Sequence, residues 1–182
     1  IISFPMLGDF SINPPNSFEV FGFSIYWYGV IIAAGFLLAV LYCMHRCGEF
    51  GLNSDNVLDT LIVGTPLAII GARLYYVVFY FDLYRDNLWE IFAIRDGGLA
   101  IYGGIIGAII GLLIVSRWRR FSALAMLDLG CFGMLIGQFV GRWGNFINRE
   151  AYGAETEIFC RMGLTDPVTG NTIYVHPTFL YE

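Results

Sequence analysis

Four long apolar runs, separated by polar segments, dominate the chain. They cover residues 21–44, 57–81, 98–115 and 123–141, and a further apolar pattern starts near residue 177. A helix of about 20 residues crosses the ~30 Å hydrocarbon core of a bilayer at 1.5 Å per residue. The pattern therefore predicts an all-α protein, a polytopic bundle of transmembrane helices that forms a single membrane-embedded domain over residues 1–182.

The polar segments contain the candidate loops. Residues 1–20 form a polar lead-in, residues 82–97 are polar and of mixed charge, and residues 142–176 are too long for a tight turn and too polar to span. Long loops between spans are often functional. We therefore expect an extended loop region on one face of the bundle.

Arginines indicate which face this is. Arg117, Arg119 and Arg120 directly follow the third apolar run. Because cytoplasmic loops carry an excess of positive charge, this end of the third span is predicted to be cytoplasmic. The lead-in and the segments 82–97 and 142–176 then share the outer face.

Glycines recur every four residues in the third and fourth runs, at Gly103, Gly107 and Gly111 and at Gly133, Gly137 and Gly141. Small residues at this spacing let two helix backbones approach closely. Helix packing is the simplest explanation, and it predicts that spans three and four cross each other.

Composition supports a membrane protein and excludes some partners. The chain is 57% hydrophobic and 14% charged, against about 45–50% and about 25% in soluble domains. Its net charge of −5 provides no basic patch, so no nucleic-acid partner is expected. Cys43 and Cys47 flank His45, but small apolar residues at a membrane boundary explain them better than a metal site, and no metal is predicted.

The densest polar cluster at a membrane boundary follows the fourth run. It contains Arg142, Asn145, Asn148 and Glu150. An arginine at hydrocarbon depth is expensive unless it is paired, and guanidinium binds phosphate through two parallel hydrogen bonds. A single arginine would be explained by snorkelling to water, but the added asparagines and glutamate favour a site for a phospholipid headgroup.

Arg73, inside the second run, is the second unusual cation. It could form a structural pair with an acid, either Asp96 or Glu150, or it could serve as a second phosphate clamp. The sequence favours neither alternative.

Two further segments carry candidate chemistry. Gly98, Gly103 and Gly104 lie at the start of the third run, where open backbone N–H groups could receive an anion or a headgroup. His176 precedes Pro177, which suits the first turn of a helix. Histidine is the usual general base near neutral pH, although an isolated histidine is more often structural.

These residues resemble one family. The run GRWGNFINREAYG at 141–153 fits the signature G-R-x-G-N-F-x-N-x-E-x-x-G of prolipoprotein diacylglyceryl transferases. The blocks WYG at 27–29, GARLYYVVFY at 71–80, DGGLAIYGG at 96–104 and HPTFLYE at 176–182 follow in family order. The resemblance covers nearly the whole chain and is far more specific than a short glycine motif.

The resemblance implies a seven-helix enzyme of the bacterial plasma membrane with its active centre toward the outer face. Its substrates would be phosphatidylglycerol, drawn from the membrane lipids, and the lipobox cysteine in the signal peptide of a prolipoprotein. The thiol sulfur would attack the glyceryl carbon, a thioether would form, and glycerol phosphate would leave. The family implies no metal and no nucleotide cofactor.

Site residues follow from the same resemblance. Arg142 would bind the phospholipid phosphate and stabilise it as it leaves, Asn145, Gly153 and Tyr28 fall on important positions, and Glu150 and Glu182 match acidic ones.

One position departs from the family pattern. Tyr102 stands where many members have a histidine that is proposed to activate the thiol. A phenol with a pKa near 10 is a poor base, so Tyr102 positions substrate, or another group is the base, or the thiolate forms unaided, since a free thiol is already a few per cent ionised.

The family's last helices, with a further essential arginine, have no counterpart here, so we expect the sequence to be an inactive fragment. Two other functions are kept as alternatives. A small-solute transporter would place polar residues at the bilayer midplane, whereas here they gather at the outer boundary. A non-catalytic lipid-binding homologue gains support from Tyr102.

Overall fold

The computed structural model describes residues 1–8, 10–85, 87–93 and 97–181. Its long helices are α1 (Trp27–Arg46), α2 (Ser54–Phe79), α3 (Ile101–Arg119) and α4 (Ala123–Asn148), followed by the short α5 (Thr178–Tyr181). Its strands are β1 (Ile2–Ser3), β2 (Ser11–Ile12), β3 (Ser17–Val20), β4 (Phe23–Tyr26), β5 (Met162–Thr165) and β6 (Thr172–Val175). Short 3-10 helices occupy Pro5–Leu7, Cys47–Phe50, Phe81–Tyr84 and Leu88–Phe92.

The four long helices correspond to the four apolar runs, and each is long and apolar enough to cross a membrane. The prediction of a polytopic helical bundle is confirmed, and the protein is a multi-pass membrane protein. Two helix bounds differ from the apolar runs by more than four residues. The first helix begins only at Trp27, because residues 23–26 are a strand, and α4 continues to Asn148. The polar cluster that we expected in a loop therefore begins on a helix.

The chain divides into two compact units, one formed by Ile1–Leu41 with Phe132–Glu182 and the other by Tyr42–Cys131. We call them the first and second unit and describe each separately. The expectation of one membrane-embedded domain stays a prediction.

In the second unit, α2 and α3 pack through glycines. A Cβ added to Gly103 would lie 2.2 Å from the carbonyl oxygen of Gly71, and one added to Gly107 would lie 2.1 Å from that of Leu67. A Cβ added to Gly111 would lie 2.6 Å from the Cα of Gly64. The prediction that this row packs against the fourth helix is wrong, because the atoms nearest to it belong to α2. An apolar groove of about 360 Å³ lies between the same two helices.

An ion pair and an apolar core lie where α3 ends and α2 begins. Arg119, in the last turn of α3, pairs with Asp59 in α2. Cys43 and Cys47 are buried in a core with Leu112 and Leu129, which agrees with the apolar explanation of these cysteines.

In the first unit, a four-stranded antiparallel sheet has the order β2-β1-β5-β6. Ile2, Met162, Leu164 and Val175 are buried on it, and Phe146 of α4 packs against them. Strands β3 and β4 form a separate hairpin. The sheet was not predicted, because strands of two to four residues leave too short an alternating pattern.

The turn between β5 and β6 is closed by Asp166. Its carboxylate accepts hydrogen bonds from the backbone N–H of Val168 at 2.9 Å and the hydroxyl of Thr169 at 2.8 Å. These bonds stabilise the charged form and hold the pKa of Asp166 below its usual value. The turn is therefore held by an ionised side chain at neutral pH.

Candidate functional site

The run 141–153 begins on the last two turns of α4, where the helix packs against α1. Gly144 is buried, and a Cβ there would lie 3.0 Å from the ring of Tyr28. Ile32 lies one helical turn along α1, at 3.4 Å from a Cβ placed on Gly141. Gly141 and Gly144 therefore let α1 approach closely, and they hold Tyr28 beside the polar turn of α4.

Arg142 lies on α4, six positions before the last helical residue, Asn148, and is partly exposed. The carboxyl end of a helix carries partial negative charge. An anion at this end therefore requires a cationic side chain, and Arg142 supplies one.

Beyond the helix the chain turns sharply and binds back onto α4. The N–H of Glu150 donates to the carbonyl oxygen of Asn145 at 3.0 Å, and the Asn148 amide donates to the Glu150 carboxylate at 3.4 Å. Arg149 and Ala151 have φ angles of 58° and 50°, a left-handed conformation that is uncommon for residues other than glycine. Three of the predicted site residues, Asn145, Asn148 and Glu150, are thus joined in one turn.

Arg149 is a residue of this site that the sequence reasoning missed. Its guanidinium donates to the side-chain oxygens of Asn16 at 2.6 Å and Asn13 at 2.7 Å, and to the carbonyl oxygen of Pro14 at 3.0 Å. The backbone carbonyl oxygen of Asn16 in turn accepts from the N–H of Trp27, the first residue of α1, at 3.0 Å. Arg149 therefore ties the lead-in to the end of α4. The asparagines and prolines at 13–16 were visible in the sequence, but nothing in their pattern points to a partner more than a hundred residues away.

Gly153 and His176 meet in the structure. The N–H of Gly153 donates to the carbonyl oxygen of His176 at 3.1 Å, and a Cβ on Gly153 would lie only 2.7 Å from the Cβ of His176. The Thr178 hydroxyl donates to the carbonyl oxygen of Ala151. A side chain at position 153 would separate these segments, which explains the glycine.

Aromatic rings complete this contact. Phe179 lies 4.4 Å from Phe146 and 5.5 Å from Trp143, measured between ring centroids. The segment 176–181 and the run 141–153 therefore form one cluster in the first unit. The contacts of this cluster involve Tyr28, Asn145, Asn148, Glu150, Gly153 and His176, and Arg142 lies on the same end of α4.

Five other predicted residues, Arg73, Gly98, Tyr102, Gly103 and Gly104, lie in the second unit. Arg73 is buried there with 7% exposure. Its guanidinium donates to five backbone carbonyl oxygens, those of Glu90, Ile91, Ala93, Gly97 and Gly98, at 2.6 to 3.4 Å. The Tyr84 ring lies 5.2 Å away. Since arginine has five N–H donors, phosphate binding by Arg73 would require it to give up bonds to this loop. These contacts support the structural alternative, although with backbone carbonyls as partners instead of an acid.

Gly98, Gly103 and Gly104 surround the start of α3. Gly98 has a φ of 73°, and a Cβ on it would lie 2.4 Å from the Arg73 guanidinium, so the close approach of Arg73 requires this glycine. Gly103 is buried against α2, while Gly104 makes only ordinary contacts at 3.7 Å. Substrate binding by these glycines stays a prediction.

Tyr102 lies in the first turn of α3 and is 67% exposed. Its ring centroid is 6.3 Å from that of Tyr75. Two residues named in the sequence analysis, Asp96 and Glu182, lie outside the described residues.

The apolar helices define a multi-pass membrane protein, and a polar cluster lies at the end of one of these helices, α4. Comparison with known proteins identifies the family. The model of the prolipoprotein diacylglyceryl transferase family matches residues 15–182, and the chain belongs to this family.

Similar curated proteins carry the name phosphatidylglycerol–prolipoprotein diacylglyceryl transferase. The protein from Finegoldia magna is 44% identical over 91% of this chain and 64% of its own length. Those from Clostridium kluyveri and Enterococcus faecalis are each 43% identical, over 92% and 91% of this chain and over 68% and 62% of their own lengths. The chain thus spans about two thirds of the length of these relatives.

Proposed function

We propose that the protein, in its full-length form, transfers the diacylglyceryl group of phosphatidylglycerol to the lipobox cysteine in the signal peptide of a prolipoprotein. The reaction takes place in the bacterial plasma membrane, with the site toward the outer face. The observation that carries the proposal is the run 141–153, which matches the family signature and lies at the end of an apolar helix. The names of the relatives give the same two substrates.

The reaction is a nucleophilic displacement at carbon. The cysteine sulfur forms a bond to the glyceryl carbon that carries the phosphate ester, and the bond from that carbon to the ester oxygen breaks. The electron pair stays on the oxygen, so glycerol phosphate leaves as an anion. The thiol gives up its proton to a base or to water before or during the attack.

Arg142 supplies the positive charge that this leaving group requires. Its guanidinium can form two parallel hydrogen bonds to phosphate oxygens. Charge stabilisation of this kind lowers the barrier most where the new negative charge develops. Asn145, Asn148 and Glu150 bind the headgroup around it, with Tyr28 packed alongside and Gly153 keeping the segment after β6 close.

Two residues are candidates for handling the thiol proton. His176 adjoins the signature run through Gly153, and an imidazole is a suitable base near neutral pH. Tyr102 is assigned to positioning the substrate, because a phenol is a poor base at neutral pH. Substrate binding by Arg73, Gly98, Gly103, Gly104 and Glu182 is kept as a further part of this proposal.

The test uses purified full-length protein, labelled phosphatidylglycerol and a lipobox peptide, with the thioether product as the readout. We expect Arg142→Ala to fold and to lower kcat by about 10²–10³-fold, because the leaving phosphate loses its counter-charge. Arg142→Lys keeps the charge and should recover part of the rate. Arg117→Ala, which removes an exposed arginine at the end of α3, is the charge-matched control and should be unaffected.

Turnover by Arg142→Ala within a few-fold of the unmodified protein would refute the role of Arg142. The same assay separates the proposal from a non-catalytic lipid-binding homologue, which would bind the labelled lipid but form no thioether with any variant.

A further inference from the structure

The hairpin of β3 and β4 has one apolar and one polar face. Its directly opposed pairs are Ser17 with Tyr26, Phe18 with Ile25, Glu19 with Ser24, and Val20 with Phe23. Opposed side chains lie on the same face, and faces alternate along each strand. Phe18, Ile25, Val20 and Phe23 therefore share one face, while Ser17, Tyr26, Glu19 and Ser24 share the other.

Much of the apolar face is exposed toward the tip of the hairpin. Phe23 is 75% exposed and Val20 is 37% exposed, and Phe21 in the turn is 98% exposed. At the base, Phe18 is partly covered by Trp27, whose ring centroid lies 4.7 Å from its own. A two-stranded hairpin is only marginally stable in water, so a hairpin with an uncovered apolar face needs a partner surface.

The turn itself is unusual. Phe21 and Gly22 connect the strands with φ angles of 51° and 81°. A two-residue turn with both φ angles positive favours Asn-Gly, and a bulky residue is strained there. Phe21 thus combines an unfavourable backbone conformation with almost complete exposure. This combination is expected only if the ring of Phe21 contacts a surface that is not part of the described chain.

The position of the hairpin indicates what covers this face. Tyr26 ends β4 and Trp27 begins α1, with no residue between them. The hairpin therefore starts where a membrane span starts, and its tip lies about 14 Å away along a four-residue strand. Aromatic side chains are enriched at this depth of a membrane, and the one charged residue of the hairpin, Glu19, is on the opposite face.

We propose that the β3–β4 hairpin docks its apolar face, with Phe21 at the tip, on the interfacial layer of the bilayer that surrounds α1. The polar face then remains in water. The proposal is independent of the transfer reaction, because it requires only that α1 spans the membrane.

The experiment uses full-length protein in nanodiscs of phosphatidylglycerol and phosphatidylcholine, with Cys131→Ala and Cys160→Ser introduced to remove the accessible native thiols. A nitroxide spin label is attached at Phe21→Cys, at Phe23→Cys or at Ser24→Cys, one at a time. The last is the matched control, because it neighbours Phe23 on the same strand but lies on the polar face. Power saturation then compares collisions with oxygen, which enters the bilayer, and with a water-soluble nickel chelate.

We expect labels at Phe21→Cys and Phe23→Cys to collide severalfold more with oxygen and severalfold less with the nickel chelate than the label at Ser24→Cys. Equal access of the chelate to all three positions would overturn the proposal, because the face would then lie in water. Shielding of the first two positions from both reagents would also overturn it, since protein, from a second copy or from further chain, would then cover the face. Shielding only after addition of a lipobox peptide would assign the face to that substrate instead.

A second variant tests the tip. Phe21→Asn suits the turn better but removes the apolar ring. The label at Phe23→Cys should then gain access to the nickel chelate, with its ratio of oxygen to nickel collisions falling severalfold. An unchanged ratio would contradict the proposal, because the ring of Phe21 would not be contributing to the docking.

Discussion

Three arginines that look alike in the sequence have different environments. Arg73 is buried and donates to five backbone carbonyl oxygens of the loop before α3. Arg149 binds the lead-in through Asn13, Pro14 and Asn16. Arg142 lies between the two in sequence, on a helix turn that carries other polar residues. Any guanidinium can bind oxygen, but only the surrounding structure determines whether that oxygen comes from the protein or from a ligand.

Arg149 permits a comparison of backbone and side-chain effects. Arg149→Gly loses the bonds to Asn13, Pro14 and Asn16 but accepts the φ of 58° without strain, whereas Arg149→Ala loses the same bonds and keeps the strain. We expect Arg149→Ala to be less stable than Arg149→Gly by about 1 kcal/mol, measured by thermal unfolding in detergent. In both variants the lead-in should be cleaved faster in limited proteolysis. Equal stability of the two variants would show that the left-handed conformation is not retained.

We expect Arg73 to stabilise the loop before α3 even when no lipid is bound. Arg73→Ala leaves several carbonyl groups without a donor, and we expect a loss of about 3 kcal/mol of stability, with faster proteolysis between residues 80 and 98 in the absence of any lipid. Arg73→Lys keeps the charge but not the planar fork, so it should recover little. If Arg73→Ala resisted proteolysis like the unmodified protein, the result would favour the phosphate-clamp alternative over the structural one.

At the scale of elements, glycine determines which helices approach each other. Gly103, Gly107 and Gly111 of α3 face α2, where backbone atoms of Gly64, Leu67 and Gly71 lie too close for a side chain. Between α1 and α4, Gly141 and Gly144 have the corresponding role and hold Tyr28 and Ile32. In both pairs the helices are antiparallel. In a lipid environment, close van der Waals packing stabilises such pairs, because the hydrophobic effect does not drive helices together there as it does in water.

The α2–α3 contact can be tested with two glycines on the same helix. Gly107→Ala places a Cβ about where the carbonyl group of Leu67 lies, and overpacking of this kind costs typically about 1–3 kcal/mol. Gly104→Ala, whose nearest neighbours would be 3.7 Å away, is the matched control and should be neutral. Thermal unfolding of the two variants in the same detergent gives the comparison. A loss of stability that was equal in both would mean that the substitution acts through the helix itself and not through the contact.

At the scale of the whole molecule, the spans fix which segments share a side of the membrane. Because α4 crosses the bilayer, the three arginines before it and the long segment after it lie on opposite sides. From the excess of positive charge at Arg117, Arg119 and Arg120, we propose that these three arginines lie on the cytoplasmic side. The site built from the end of α4 would then be reached from the outer face, where the signal peptide of a translocated protein emerges.

This orientation predicts a labelling pattern. In protoplasts that carry the full-length protein without Cys131 and Cys160, an impermeant maleimide should label Val168→Cys, which replaces a 90% exposed residue in the β5–β6 turn. Ser122→Cys, just before α4, should be labelled only after lysis. The reverse pattern would place the site on the cytoplasmic side and would contradict the proposal that the reaction takes place at the outer face.

The sequence alone determined the membrane character, the number of long helices and the family, because each depends on local composition or on a short run of fixed residues. An apolar run crosses lipid whatever its neighbours are. The signature at 141–153 likewise needs no partner to be seen.

Only the tertiary structure decided which groups pair. The five carbonyl oxygens around Arg73, the lead-in bound by Arg149, the α2 partner of the α3 glycines and the sheet that joins β1 to β5 all connect segments far apart in the chain. Such pairings depend on close packing and hydrogen-bond geometry at the contact itself. A pattern along the chain gives the residues that are able to pair but not the distance between them.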